Sequence, residues 1–244
     1  MKKTFFHIKE VEKSCSEDKM KAQEYESLNA VTSNKTNNSQ FPIVGIGCSA
    51  GGLEALESFF MNMPKNNGMA FVVIQHLNPN YISLMPELLQ RITPMKVFQA
   101  SDNLKVTPDC IYVIPPNKCL SILNESLYLI DLINLQRLQL PIDVFFRSLA
   151  ADRLEKSIGI ILSGAGSDGS LGVKAIKEKK GIVLVQTPDT ARFTGMPGNA
   201  AAAVIPDILA PVEKLPAMLI EFLNFVPKVK LDSECDDNTK LVHN

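Results

Sequence analysis

Imidazole is scarce in this chain: His7, His76 and His243 are the only histidines in 244 residues. Any chemistry that needs a histidine base must draw on one of them. The five cysteines, Cys15, Cys48, Cys110, Cys119 and Cys235, form no C-x-x-C pair and no metal-ligand spacing, the pattern of a reduced intracellular protein. Neither charge sign is in excess. Twenty-five basic and 26 acidic residues give a formal net charge of -1, so the overall balance offers nothing to a nucleic acid or a membrane surface. Long apolar runs are absent too: stretches such as Met69 to Ile74 fall far short of the ~20 residues a membrane helix requires. The basic start Met1-Lys2-Lys3 is followed by Lys9, Glu10, Glu12 and Lys13 with no apolar h-region, so no secretory signal is read. These absences point to a cytoplasmic protein without membrane insertion. No internal repeat is visible.

What is present is a hydrophobic content of 45%, enough for a sizeable core in one main domain. Residues 1–40 mix Lys, Glu, Ser and Asn and read as a disordered leader, with at most a weak helix near Ile8 to Leu28. The polar stretch 227–244 reads as a flexible tail. Between them, over residues 41–226, apolar strands alternate with amphipathic helices.

The spacing predicts strands at Ile43 to Gly47, Met69 to Gln75, Lys96 to Phe98, Ile158 to Leu162 and Ile182 to Gln186. It predicts helices at Leu53 to Met61, Tyr81 to Ile92 (Leu84, Leu88 and Leu89 inward), Ile142 to Leu154, Asp168 to Lys179, Pro197 to Ala203 and Val212 to Phe225. Continuous rather than alternating apolar strands imply a sheet covered on both faces. From Cys110 to Ile130, short apolar runs separated by Pro115-Pro116-Asn117 and Asn124-Glu125-Ser126 predict an antiparallel hairpin insert. The fold class is therefore α/β: a doubly wound, mainly parallel, Rossmann-like sheet with that insert.

In such a sheet, ligands bind beyond the carboxyl ends of the strands. Three strand ends carry polar groups there: Ser49, Gln75-His76, and the run Ser163-Gly164-Ala165-Gly166-Ser167-Asp168-Gly169. The first is the sharpest signal. Gly47-Cys48-Ser49-Ala50-Gly51 spells a nucleophile elbow, in which a tight strand-to-helix turn exposes the serine oxygen. Gly45-x-Gly47-x-x-Ala50 also fits the loose dinucleotide fingerprint, and a tight turn without chemistry fits equally well.

A serine hydroxyl needs a base to take its proton, and the base needs a third group to orient it. His76 is the one histidine in the folded region, with a core-bonded or strand-capping imidazole as the alternative. Asp168 opens a helix, so an N-cap is its simplest role; a fixed carboxylate at a strand end can still face an imidazole. Asp102, Asp109, Asp143, Asp189 and Asp207 are worse placed. The order Ser49, His76, Asp168 differs from the Ser, Asp/Glu, His order of α/β-hydrolases. The dinucleotide reading calls for an acid about 20 residues past the glycines, where Gln75-His76 stands instead.

With these strand ends in hand, the chain from about Pro42 to Phe225 resembles the catalytic domain of the chemotaxis protein-glutamate methylesterases (CheB type). The resemblance rests on residues 45–52, on Val72-Val73-Ile74-Gln75-His76-Leu77, on Pro141-Ile142-Asp143-Val144-Phe145-Phe146, on residues 162–169, and on Gly195-Met196-Pro197. It implies that Ser49 is the nucleophile, His76 the general base and then acid, and Asp168 the orienting carboxylate. It also implies hydrolysis of glutamate methyl esters on the cytoplasmic helices of methyl-accepting chemoreceptors, with release of methanol, deamidation of receptor glutamines as a second activity, and no cofactor or metal. Backbone N–H groups at Ala50 and Ala165 are the candidate oxyanion donors, with Gly164 and Met196 beside the substrate. An inactive module that binds receptors or signalling partners without turnover is the competing expectation.

Three departures stand out. Ala165 replaces a methionine of some members, and Gln139 and Gly198 occupy positions often held by arginine. The run Pro141 to Ala150 is closer to domains fused to a CheR-type methyltransferase. A leader of this length cannot contain a receiver domain, so the expectation is either a stand-alone domain or a methyltransferase or receiver domain on another chain as partner.

Overall fold

The computed structural model describes residues 41–75, 84–131 and 140–225. The leader and the tail, together with His76 and Gln139, lie outside the described residues.

From Phe41 onward the chain alternates as its apolar pattern requires. The elements are β1 (Ile43–Cys48), α1 (Gly52–Met61), β2 (Ala70–Gln75), α2 (Met85–Ile92), β3 (Lys96–Gln99), β4 (Leu104–Lys105), β5 (Cys110–Val113), β6 (Lys118–Leu123) and β7 (Ser126–Asp131). There follow α3 (Pro141–Arg153), β8 (Ser157–Ile161), α4 (Ser170–Glu178), β9 (Ile182–Gln186), α5 (Gly195–Ala203), β10 (Ile208–Ala210) and α6 (Leu215–Phe225). Seven strands form one sheet in the order β10-β9-β8-β1-β2-β5-β3, and every pair in it is parallel. The doubly wound α/β class is as expected.

Both faces of the sheet are covered. Val44, Ile46 and Cys48 of β1 pack with Leu56, Phe59 and Phe60 of α1, Leu89 of α2 and Leu219 of α6. On the opposite face, Ile43 packs with Phe145, Phe146 and Leu149 of α3, Val173 and Ile176 of α4, and Ala200 of α5. Burial on both sides is the reason these strands are continuous rather than alternating in hydrophobicity. Each fully buried large side chain contributes about 1.5–3 kcal/mol of transfer free energy. Gly47 sits within β1, where an added Cβ would lie 2.6 Å from Cγ2 of Ile142, so it serves helix packing rather than the turn.

Two expectations are corrected. Ile111 to Ile114 does not belong to the antiparallel insert: β5 is a parallel strand between β2 and β3, and all four of its residues are buried, as a strand covered on both faces must be. The antiparallel sheet is β4-β7-β6, built on the β6–β7 hairpin, and it lies on the α3 side through Leu120, Ile122 and Leu127. Second, α2 starts at Met85 with Pro86 in its first turn, where a missing N–H costs nothing. Leu84 then precedes the helix and is 61% exposed, while Leu89 is buried and Leu88 half-buried.

The winding reverses at the centre. From β1 the sheet grows through β2, β5 and β3 on one side, and through β8, β9 and β10 on the other. That reversal leaves a crevice beyond the carboxyl ends of β1 and β8.

Candidate active site

Ser49 is the first residue after β1, at the carboxyl end of the strand, and half-buried. Its N–H donates to the Ser163 carbonyl at 3.1 Å, and its own carbonyl accepts from the Gly52 N–H at 2.9 Å. The chain can make this turn because Gly51 takes φ +68, a conformation that side chains with a Cβ resist. An added Cβ at Gly51 would also lie 2.8 Å from Oγ of Ser163, 3.0 Å from Cβ of Arg192 and 3.2 Å from Cδ2 of Phe193. The elbow is therefore walled by the turn after β8 and by the segment leading to α5. Cys48, just before the serine, is fully buried. Burial pushes its thiol up to about 12, which leaves it an inert packing group.

Ser163 ties these walls together. Its Oγ donates to the Ala50 carbonyl at 3.0 Å and accepts from the Phe193 N–H at 3.0 Å. Its N–H donates to Oε1 of Gln186 at 2.9 Å, and Nε2 of Gln186 donates to the Thr190 carbonyl at 3.2 Å. Both side chains are essentially buried, Ser163 at 1% and Gln186 at 2% exposure. Sequence reasoning placed Ser163 at a strand end without giving it a role and passed over Gln186. The available signal was a polar residue ending an otherwise apolar strand, since buried polar groups are there to be hydrogen-bonded.

Gly164 donates its N–H to the Phe193 carbonyl at 3.1 Å, and its carbonyl accepts from the Met196 N–H at 2.8 Å. Met196 is 1% exposed, with its sulfur packed against Gly164. Ala165 is exposed at the crest of the turn, and Nδ2 of Asn199 holds the neighbouring Gly166 carbonyl at 2.9 Å. Neither the Ala50 nor the Ala165 N–H donates to an acceptor among the described residues.

Asp168 is 7% exposed. It does not cap its own helix; Gly169 occupies that position in α4. Its carboxylate instead accepts from the Ile142 N–H at 3.1 Å (Oδ2) and the Asp143 N–H at 3.0 Å (Oδ1), the first turn of α3. Burial, reinforced by the neighbouring Asp143 charge, raises its carboxyl to about 6 against the pull of these N–H donors.

β2 runs beside β1 with Gln75 in register with Cys48. The next residue along the chain is His76, which lies outside the described residues. The structure thus brings the Ser49 elbow and the turn bearing Asp168 to adjoining strand ends.

These features define the class: a doubly wound α/β domain with a serine in a tight turn at the end of its central strand. The chain belongs to the CheB methylesterase family, whose model matches residues 44–219. The crystal structure of the Thermotoga maritima CheB methylesterase catalytic domain superposes with a TM-score of 0.66 at 30% identity, covering 75% of this chain and 98% of that one. A Leptospira interrogans protein that carries the name protein-glutamate methylesterase/protein-glutamine glutaminase provisionally is 31% identical over 181 residues, 74% of this chain and 94% of that protein. A Trichodesmium erythraeum protein-glutamate methylesterase/protein-glutamine glutaminase is 29% identical, covering 80% of this chain and 56% of its relative.

Proposed function

We propose that this chain is a serine-type protein-glutamate methylesterase acting on the cytoplasmic helices of methyl-accepting chemoreceptors. The observation that carries the reading is the 3.1 Å bond from Ser49 N–H to the Ser163 carbonyl. It fixes the serine elbow to the turn that carries Asp168 five residues further on. Membership of the CheB methylesterase family supports the substrate class.

In the proposed reaction His76 takes the proton of Ser49 Oγ as the oxygen attacks the glutamyl ester carbonyl. The resulting oxyanion is met by the Ala50 and Ala165 N–H groups, each worth about 3 kcal/mol of transition-state stabilisation. The C–OCH3 bond breaks, His76 returns its proton to the leaving oxygen, and methanol departs from an acyl-Ser49. Water, deprotonated by His76, then attacks the acyl carbon; the glutamate carboxylate leaves and Ser49 recovers its proton. A receptor glutamine follows the same course with ammonia as the leaving group. Asp168 holds the His76 tautomer. The substrate places the reaction in the cytoplasm, with a methyltransferase or a receiver domain on another chain as the regulatory partner. No helix among the described residues is long and apolar enough to cross a membrane.

Methanol release from methyl-labelled receptor membranes tests the reading. Ser49→Ala is expected to lower the rate by about a million-fold. Equal release by wild type and Ser49→Ala, or receptor binding with no turnover at all, would overturn it.

A further inference from the structure

Asp168 and Asp143 are cross-connected. Asp168, in the turn before α4, accepts from the N–H groups of Ile142 and Asp143 in the first turn of α3. Asp143, in that first turn of α3, reaches back: its Oδ1 accepts from the Gly172 N–H of α4 at 2.6 Å. Each acid thus caps the other's helix. A helix N-terminus leaves its first N–H groups unpaired and carries partial positive charge, so each end accommodates a buried carboxylate. Asp143 is 4% exposed, and its Oδ2 is buried without a hydrogen-bond partner.

We propose that Asp143 is a positioning residue for Asp168, bracing the start of α4, just beyond the turn that carries it, through the Gly172 N–H. The inference rests on the reading of Asp168 as the orienting carboxylate. Sequence reasoning set Asp143 aside as an acid that merely starts a helix; its contact lies across the fold, with α4. With that link cut, the start of α4 loses its bond to the Asp143 carboxylate and the Asp168 turn is left to the Ile142 and Asp143 N–H groups alone; a displacement near 1 Å at an orienting group is enough to slow the chemical step severely. The pair is also electrostatically coupled. Among the described residues, Asp168 is faced by Asp143 from α3 and by Cys119 from β6, and Asp143 by Arg147 one turn along its own helix. Burial and the proximity of its partner both raise Asp168, so neutralising Asp143 moves Asp168 toward lower pH.

Two variants of the full chain test this. Asp143→Ala removes the acceptor and is expected to lower kcat on methylated receptor about tenfold to a hundredfold, with KM within twofold. Asp143→Asn retains an acceptor for Gly172 and is expected to recover most of that kcat at neutral pH. In it, the Asp168 carboxyl, followed by carbon-13 NMR, titrates at lower pH than in wild type. A folded Asp143→Ala protein with kcat within twofold of wild type overturns the proposal, and so does an unmoved Asp168 titration in Asp143→Asn. If the alanine variant fails to fold, the asparagine titration alone decides. Persistent turnover by Ser49→Ala would instead overturn the esterase reading, and the Asp168 titration still judges the pairing.

Discussion

The Ser49 N–H and the Ser163 carbonyl are joined at 3.1 Å, which commits the backbone donor of the serine itself to holding the elbow. In the proposed reaction, oxyanion stabilisation then falls to the Ala50 and Ala165 N–H groups. Ser163 also binds the Ala50 carbonyl and the Phe193 N–H through its hydroxyl. Ser163→Ala keeps the backbone bond and removes both hydroxyl bonds, leaving two part-buried polar groups without their protein partner. A loss of about 2 kcal/mol in unfolding free energy is expected. The loosened Ala50 turn should lower kcat for ester hydrolysis more than it raises KM. Urea denaturation and steady-state methanol release measure the two effects.

Asp168 makes stability and activity run in opposite directions with pH. Its carboxyl ionises at about 6 in the fold, against an ordinary value of 3.8. Between those values the folded chain holds a proton that the unfolded chain has released. The stability this group contributes is full below about pH 4 and is lost as pH rises through 6, a difference of about 3 kcal/mol. In the proposed reaction the ionised form orients His76, and it appears over the same interval, so kcat/KM is expected to fall as pH drops through about 6. Wild type should therefore lose stability relative to Asp168→Asn between pH 4 and pH 7.5; a constant difference between the two would contradict this.

Gly51 carries the elbow's one left-handed residue, at φ +68. Alanine there adds the backbone strain, about 1–2 kcal/mol, and drives a methyl against Ser163 and Arg192. Relief requires the Arg192-Phe193 segment to retreat from the serine. Gly51→Ala is expected to reduce Tm by several degrees and kcat by an order of magnitude or more. Gly198→Ala is the control: an added Cβ there meets nothing within 4 Å, and glycine costs about 1 kcal/mol in a helix, so its Tm should not fall.

Most of the fold was legible because hydrophobic period and glycine turns are local signals. β9 is found where its apolar run predicts, and α1 starts one residue early, at Gly52. β5 was misassigned because Cys110 to Val113 follows one loop and precedes a hairpin, and only its neighbours β2 and β3, distant in sequence, make it a central parallel strand. At the site, Ser49 and Asp168 announced themselves by their turns. Asp143 did not, since the N–H it accepts from lies 29 residues away at Gly172. Ser163 and Gln186 act through bonds to Ala50, Phe193 and Thr190 that no spacing along the chain encodes.

Far from the crevice, Glu125 and Arg153 form a buried ion pair, with Nη1 to Oε1 at 3.0 Å and side-chain exposures of 2% and 5%. Arg153 also donates to the Phe41 carbonyl at 2.6 Å and lies over the Phe41 ring at 5.6 Å. The pair thus ties the β6–β7 turn to the end of α3 and the start of the domain. Desolvation offsets much of the attraction in such a pair, so removing one member costs far more than removing both. Glu125→Ala should lose about 3–5 kcal/mol, because Arg153 keeps a shielded charge. The double variant with Arg153→Met should recover much of that loss. Both should hydrolyse ester at the wild-type rate per folded molecule, since neither group reaches the serine. A double variant no more stable than Glu125→Ala would show that Arg153 acts through Phe41 rather than through the ion pair.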